Sequence, residues 1–390
     1  MVLARRLGPA TFGQLAVAFL VCRYAGMVGD WGASVGGARD VAASADPSYL
    51  RALVRRRELV TGALCGSYLV AVFALGHQFL APLAFAIVSR GLSRDWMALG
   101  RERGWRAGAP AVVQGGVMLS GALFAGSPEA ATLAIAAGYG FAFLASLRLN
   151  PLPAVRSGLP SRVGVSPWIL VVVLADQVIA SVDIVLLGAL RSSGEAGVYA
   201  AVYRIPNAVL TVVGLIVLGL VPTAARTLRE RPHEFPAARQ RALRAGRLWA
   251  SVVALTIVPF SFVMPVLFGP AYLPGRTPLV LLLLAAAVTA AAAPLQPIYF
   301  ALAKDKELAA IVGVVAASNF AANLVAITLW GATGAASTTL AGQVLLLLLY
   351  RRCLRDATAG ERCDPSRRPT SSTVRCAGRR STVRSGSRGS

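Results

Sequence analysis

The chain has 390 residues, 56% hydrophobic and 14% charged, with a mean hydropathy of +0.64 and a net charge of +22. Soluble domains carry about 25% charge, so a soluble multidomain enzyme is excluded and an all-α polytopic membrane protein is expected. The positive charge is almost wholly arginine, with Lys304 and Lys306 the only lysines, and basic loops between spans account for it better than nucleic-acid binding.

A bilayer core about 30 Å thick needs about 20 apolar residues per helix. By that rule eleven spans run over 10–38, 58–76, 78–95, 107–126, 129–147, 165–190, 196–222, 248–268, 277–302, 307–330 and 332–350. The first is expected to bend at Gly29-Asp30-Trp31-Gly32. No apolar signal-peptide core precedes it. The loops alternate. Gly76-His77, Gly126–Glu129, Arg191–Glu195 and Trp330–Gly334 are short and lack net positive charge, and Gly269–Arg276 carries the single Arg276. The segments 39–57, 90–106, 148–162 and 223–247 are rich in Arg, and Lys304-Asp305-Lys306 is also basic. Positive loops stay in the cytoplasm, so this second set and the C-terminal tail are expected inside a multi-pass protein of the cytoplasmic membrane. All six Trp fall near span ends, as interfacial aromatic belts predict.

Eleven spans with a cytoplasmic C-terminus leave residues 1–9 outside, although they carry Arg5 and Arg6. The expectation from counting is a missing first helix, with a re-entrant first span as the alternative; a missing helix would restore two six-helix halves, an N-terminal lobe over 1–150 and a C-terminal lobe over 163–352. Such repeats place substrate sites between them near the midplane. Residues 356–390 contain almost no large apolar residues and repeat Ser-Thr-Val-Arg at 372–375 and 381–384. That composition reads as a disordered basic tail, or as a polybasic segment that attracts anionic lipids.

Ionisable residues inside spans are costly and usually face a cavity or a partner. The candidates are Arg23, Asp176, Asp183 and Arg204. Asp176 and Asp183 are seven apart and share a helix face. An Asp183–Arg204 pair, or a polar lining shared by them, fits the hairpin between their helices, with a structural ion pair as the competing reading. Pro206, Pro259, Pro265, Pro294 and Pro297 interrupt second-half spans, as kinks for motion or as static bends. No cysteine pair has metal or redox spacing and only His77 and His233 are histidines, so no metal or cofactor is expected. Nucleotide, hydrolase and zincin motifs are absent, so no enzyme activity is expected.

Several stretches resemble the polysaccharide flippases that export O-antigen and exopolysaccharide units, within the multidrug/oligosaccharidyl-lipid/polysaccharide exporter superfamily. Leu7–Gly13 looks like the connector after their first helix. Asp30 and Gly32 followed by Arg39 resemble the end of their second, and Asp95-Trp96 with Gly100 the segment after their fourth. Asp183–Gly188, Gly197-Val198-Tyr199, Ala201 and Pro222 are similar to helices seven and eight. Phe268-Gly269, Tyr272, Asn323, Gly331 and Gly334-Ala335-Ala336 fit the last four.

The resemblance covers about 7–352. It implies two lobes around a partly cationic cavity and the flipping of polyprenyl-diphosphate-linked oligosaccharides by alternating access. Arg23 and Arg204 would then contact the diphosphate or sugar, and Arg39 would receive the head group at the cytoplasmic mouth. Asp183 would orient an arginine or carry a coupling proton, and Asp176 would line the cavity. Partners would be the lipid-linked oligosaccharide, membrane lipids, a polysaccharide polymerase and glycosyltransferases, with no nucleic acid. The competing functions are a peptidoglycan lipid-precursor flippase, a drug or metabolite exporter of the same superfamily, and an inactive or scaffold protein of a polysaccharide-assembly complex.

Overall fold

Glycine and proline decide where the apolar helices break. In this computed structural model, residues 2–42, 47–152, 167–230, 235–296, 299 and 305–363 are described, with side chains of 212–236, 238, 239, 242 and 353–363 left aside. Helix α1, Val2–Asp30, is broken at Gly8 (φ 73°, ψ 168°), immediately before Pro9. Only glycine takes that conformation readily, and a residue before proline avoids the helical region. At the far end Trp31 and Gly32 are left-handed (φ 53° and 72°). The bend expected at Gly29–Gly32 is therefore present, followed by a π-helical turn over Ala33–Gly37 and the short α2, Ala38–Ala42.

Helix α3 runs Pro47–Ala74 and starts eleven residues before the span read at 58–76. The cause is a hidden stripe: Leu50, Leu53, Val54 and Arg57 are all buried, at i, i+3, i+4 and i+7. Leu50, Leu53 and Val54 pack against Ala33, Ala38, Trp96 and Ile169. A 3₁₀ turn over Gln78–Leu83 leads into α4, Ala84–Leu92, and α5, Asp95–Gly100, lies beyond it. Helices α6, Gly104–Phe124, and α7, Pro128–Leu149, form a hairpin. The start of α7 is capped by Ser127, whose hydroxyl accepts from the Ala130 N–H at 3.2 Å.

In the second half, α8 spans Pro167–Leu190, α9 Ser193–Glu230 and α10 Phe235–Leu255. A 46° bend separates the end of α10 from α11, Ile257–Phe268. Helix α12 is Arg276–Ala292, and α13, Asp305–Cys363, is broken at Gly331 (φ 55°, ψ −134°) into two span-length pieces. Among the described residues, seven helices are long and apolar enough to cross a membrane, or eight if the bent pair is one span. Most of the segments read from the sequence fall mainly on α-helix in their described part, but 78–95 is a 3₁₀ turn followed by the nine-residue α4 and a non-helical Ser93-Arg94. Outward-facing Leu59, Val70, Val112, Phe124 and Val266 are exposed, as lipid-facing residues are in a protein whose backbone bonds are satisfied within helices.

Met1–Tyr350 form one compact unit and Arg351–Ser390 a second. The part of the expected tail over 356–363 is helical, and 364–390 lie outside the described residues. The loop 148–162 and Pro297 lie largely or wholly outside them too. Helix α1 packs on α3 and α4 and also on α8 and α9, so it joins the first half of the chain to the second.

Polar contacts near the helix ends join segments of the same charge set. On the weakly charged side, the Tyr272 hydroxyl donates to Ala4 O at 2.6 Å, Arg6 to Ala125 O at 3.3 Å and the Ala332 N–H to Glu195 Oε1 at 2.7 Å. On the Arg-rich side, Arg39 pairs with Asp305 at 2.9 Å and Arg57 donates to Ser93 O at 3.0 Å.

Candidate functional site

Three helices meet at a seam, and each presents one stripe of four residues at helical spacing. Helix α1 contributes Ala16, Phe19, Leu20 and Arg23. Its neighbour α8 gives Gln177, Ala180, Ser181 and Ile184, and α9 gives Ala200, Tyr203, Arg204 and Asn207. Every set is i, i+3, i+4, i+7. They enclose a small cavity of about 60 Å³ with both Arg23 and Arg204 in its wall.

Arg23 donates to Gln177 Oε1 at 2.9 Å. The Gln177 amide in turn donates to Ser181 Oγ, and the Tyr24 hydroxyl donates to the Gln177 carbonyl at 2.9 Å. Arg204 lies over the Phe19 ring, 5.9 Å from its centroid. Neither arginine has a carboxylate partner among the described residues. Arg23 is half-buried and Arg204 exposed; two positive charges lining one cavity repel each other, and an anion between them would relieve that cost.

A second cavity, of about 270 Å³, adjoins the first; the two share Ala180, Tyr203 and Asn207. Its polar lining includes Asp176, Asn207, Thr289, Gln296, Thr339 and Gln343. Asp176 Oδ2 accepts from Gln296 Nε2 at 2.6 Å.

Asp183 belongs to neither lining. It is 1% exposed, and its carboxylate accepts from the Tyr199 hydroxyl, from Thr339 Oγ1 at 3.0 Å and from the Ile184 N–H at 2.9 Å. The expected Asp183–Arg204 pair is therefore not formed. The reason is rotational: Tyr199, which reaches Asp183, precedes Arg204 by five residues and so faces about 140° away around α9. Asp176 and Asp183 share a face of α8 as expected, one in a cavity and the other in a closed shell.

Arg39 stands at the Arg-rich end, 48% exposed and paired with Asp305. Nearby, sequence reading missed Arg57, which pairs with Asp30 at 2.7 Å with side chains only 1% and 3% exposed. Arg57 directly precedes the span read at 58–76, so it passed as a loop charge. Gln177, Tyr203, Gln296, Thr339 and Gln343 were also missed, and Tyr199 was noted only within the Gly197-Val198-Tyr199 stretch, because a search for charges inside spans does not register neutral polar groups.

No protein-family model and no curated protein matches the chain in sequence. Solved structures do match in fold. One is the lipid II flippase MurJ in an inward closed conformation, 12% identical with a TM-score of 0.67, covering 91% of this chain and 83% of that one. Another is an inward-facing multidrug resistance MATE family transporter of the MOP superfamily, 13% identical with a TM-score of 0.67, covering 93% and 94%. A MATE transporter of Vibrio cholerae is 15% identical with a TM-score of 0.60, covering 89% and 91%. The chain has the MurJ and MATE transporter fold. Within it, the arginine seam lies where α1 of the first half meets α8 and α9 of the second.

Proposed function

We propose that this chain flips polyprenyl-diphosphate-linked oligosaccharides across the cytoplasmic membrane for cell-surface polysaccharide synthesis. The halves 1–150 and 163–352 would rock about the α1 seam in alternating access. The observation that carries this reading is the shared wall position of Arg23 and Arg204, without a carboxylate partner among the described residues. A diphosphate offers several anionic oxygens, and guanidinium forks bind such oxygens bidentately. Arg39 would meet the head group at the cytoplasmic mouth, and Asp183 would hold Tyr199 and Thr339 in place behind the seam. A polymerase and glycosyltransferases would act on the same lipid before and after transport.

Two other substrate classes share the fold. A peptidoglycan lipid precursor also carries a diphosphate, and the named activity of the MurJ neighbour supports that variant. Export of an organic cation is favoured by one observation, Asp176 in the larger cavity. The separating experiment uses a strain that lacks its polysaccharide flippase and accumulates lipid-linked glycan. The chain is expected to clear that accumulation, and Arg23→Ala with Arg204→Ala to abolish clearance. Clearance by the double variant at the wild-type rate overturns the reading.

A further inference from the structure

We infer that the larger cavity, between α8, α9, α12 and α13, binds one sugar ring of the transported lipid, next to the diphosphate held by Arg23 and Arg204. The inference rests on the function proposed above and adds a second subsite to it. The volume of about 270 Å³ falls just under the roughly 300–1,000 Å³ of ordinary small-molecule pockets. That is room for one ring rather than for a whole repeat unit.

Gln343 carries the argument. Its residue is 8% exposed, it lines this cavity, and its Oε1 is buried with no hydrogen-bond partner. Buried acceptors are nearly always satisfied, so an orphan acceptor on a side chain that lines a cavity is spare capacity, which a turn of that side chain would offer to a ligand donor. Asp176 provides acceptors at a second point: Oδ2 takes the Gln296 amide, and a carboxylate has capacity for further donors. Thr289 and Asn207 add groups that both donate and accept. Tyr203 and Tyr350 also line the space and supply flat apolar area with a polar tip.

Acceptors at two points, hydroxyl and amide groups between them, and aromatic surface suit a polyhydroxylated ring with an apolar C–H face. An organic cation is less well matched, since the lining holds a single carboxylate and Arg204 and Arg23 stand in the adjoining cavity. The two spaces share Ala180, Tyr203 and Asn207 in their walls and so are neighbours. A sugar attached to a diphosphate would occupy both at once.

The test measures binding by calorimetry to the full chain in lipid nanodiscs. The probes are polyprenyl diphosphate, bare or carrying one glucose, galactose or N-acetylglucosamine. At least one glycosylated lipid is expected to bind about tenfold more tightly than the bare one. Gln343→Leu is expected to reduce that advantage to within twofold, with bare-lipid affinity and Tm unchanged, and Asp176→Asn to reduce it by a similar factor. Equal binding of bare and glycosylated lipids by the wild type, or an advantage kept by Gln343→Leu, overturns the sugar subsite and leaves the arginine site standing. Failure of the bare lipid to bind overturns both. Tetraphenylphosphonium that binds the wild type but not Gln343→Leu also overturns the inference, and assigns the cavity to cations.

Discussion

The Arg23 guanidinium on α1 donates to Gln177 Oε1 on α8 at 2.9 Å, a bond that crosses from the first half of the chain to the second. A neutral amide can aim an arginine without cancelling its charge. A carboxylate at the same place would form an ion pair and occupy the fork that an incoming diphosphate needs.

Gln177→Glu is accordingly expected to lower transport of an anionic lipid by about tenfold or more, the equivalent of about 1.4 kcal/mol. Gln177→Ala, which frees Arg23 but leaves it charged, is expected to lower transport less. Initial rates of lipid-linked glycan clearance in cells compare the two. Equal activity of Gln177→Glu and wild type would show that the free charge of Arg23 is not used.

The shell around Asp183 predicts a stability effect separate from transport chemistry. Tyr199→Phe removes one of three donors from a carboxylate buried to 1% exposure. Leaving buried polar capacity unsatisfied costs about 1–3 kcal/mol. Thermal unfolding of the purified protein is expected to show a lower Tm for Tyr199→Phe, and a larger fall for Tyr199→Phe with Thr339→Val. An unchanged Tm in the double variant would contradict the assignment.

The Asp30–Arg57 pair is buried on both sides, so its partners are not equivalent to surface charges. Arg57→Met strands a buried carboxylate and is expected to cost about 3–5 kcal/mol, whereas removing both charges with Asp30→Asn and Arg57→Met costs less. The order of the three unfolding midpoints checks this. A double variant less stable than Arg57→Met alone would mean that the pair contributes more than the desolvation of its two charges.

Helix α1 approaches α9 through glycine. A Cβ at Gly13 would overlap the Ser193 carbonyl oxygen, and one at Gly197 the Pro9 carbonyl oxygen. Backbone atoms cannot swing aside as a flexible side chain does. Gly13→Ala is expected to push the two halves apart at this end and to destabilise by about 1–3 kcal/mol, as overpacking does. Disulfide trapping between cysteines placed on α1 and α9 near these glycines should fall in Gly13→Ala. Trapping at the wild-type rate would refute the contact.

The spans were legible because lipid demands about 20 apolar residues per crossing, a signal that survives without tertiary information. The start of α3 was not, since Arg51, Arg55 and Arg56 mask the stripe of Leu50, Leu53, Val54 and Arg57. Arg23, Arg204 and Asp176 were found as intramembrane charges, and all three line cavities. Their partners were hidden because glutamine, tyrosine and threonine are unremarkable in sequence until a fold aims them. The pairing of Asp183 was misread for a related reason. Adjacency along a hairpin does not fix how α9 is rotated, and that rotation gives Asp183 to Tyr199 rather than to Arg204.

The central claim, a diphosphate site at Arg23 and Arg204, is tested most directly in vesicles reconstituted with purified protein. The measurement is the rate at which a fluorescent short-chain polyprenyl-diphosphate sugar crosses the bilayer, with wild type and with Arg23→Ala, Arg204→Ala. The account predicts rapid crossing with wild type and a protein-free rate with the double variant, at equal Tm. Equal rates for the two proteins would contradict it.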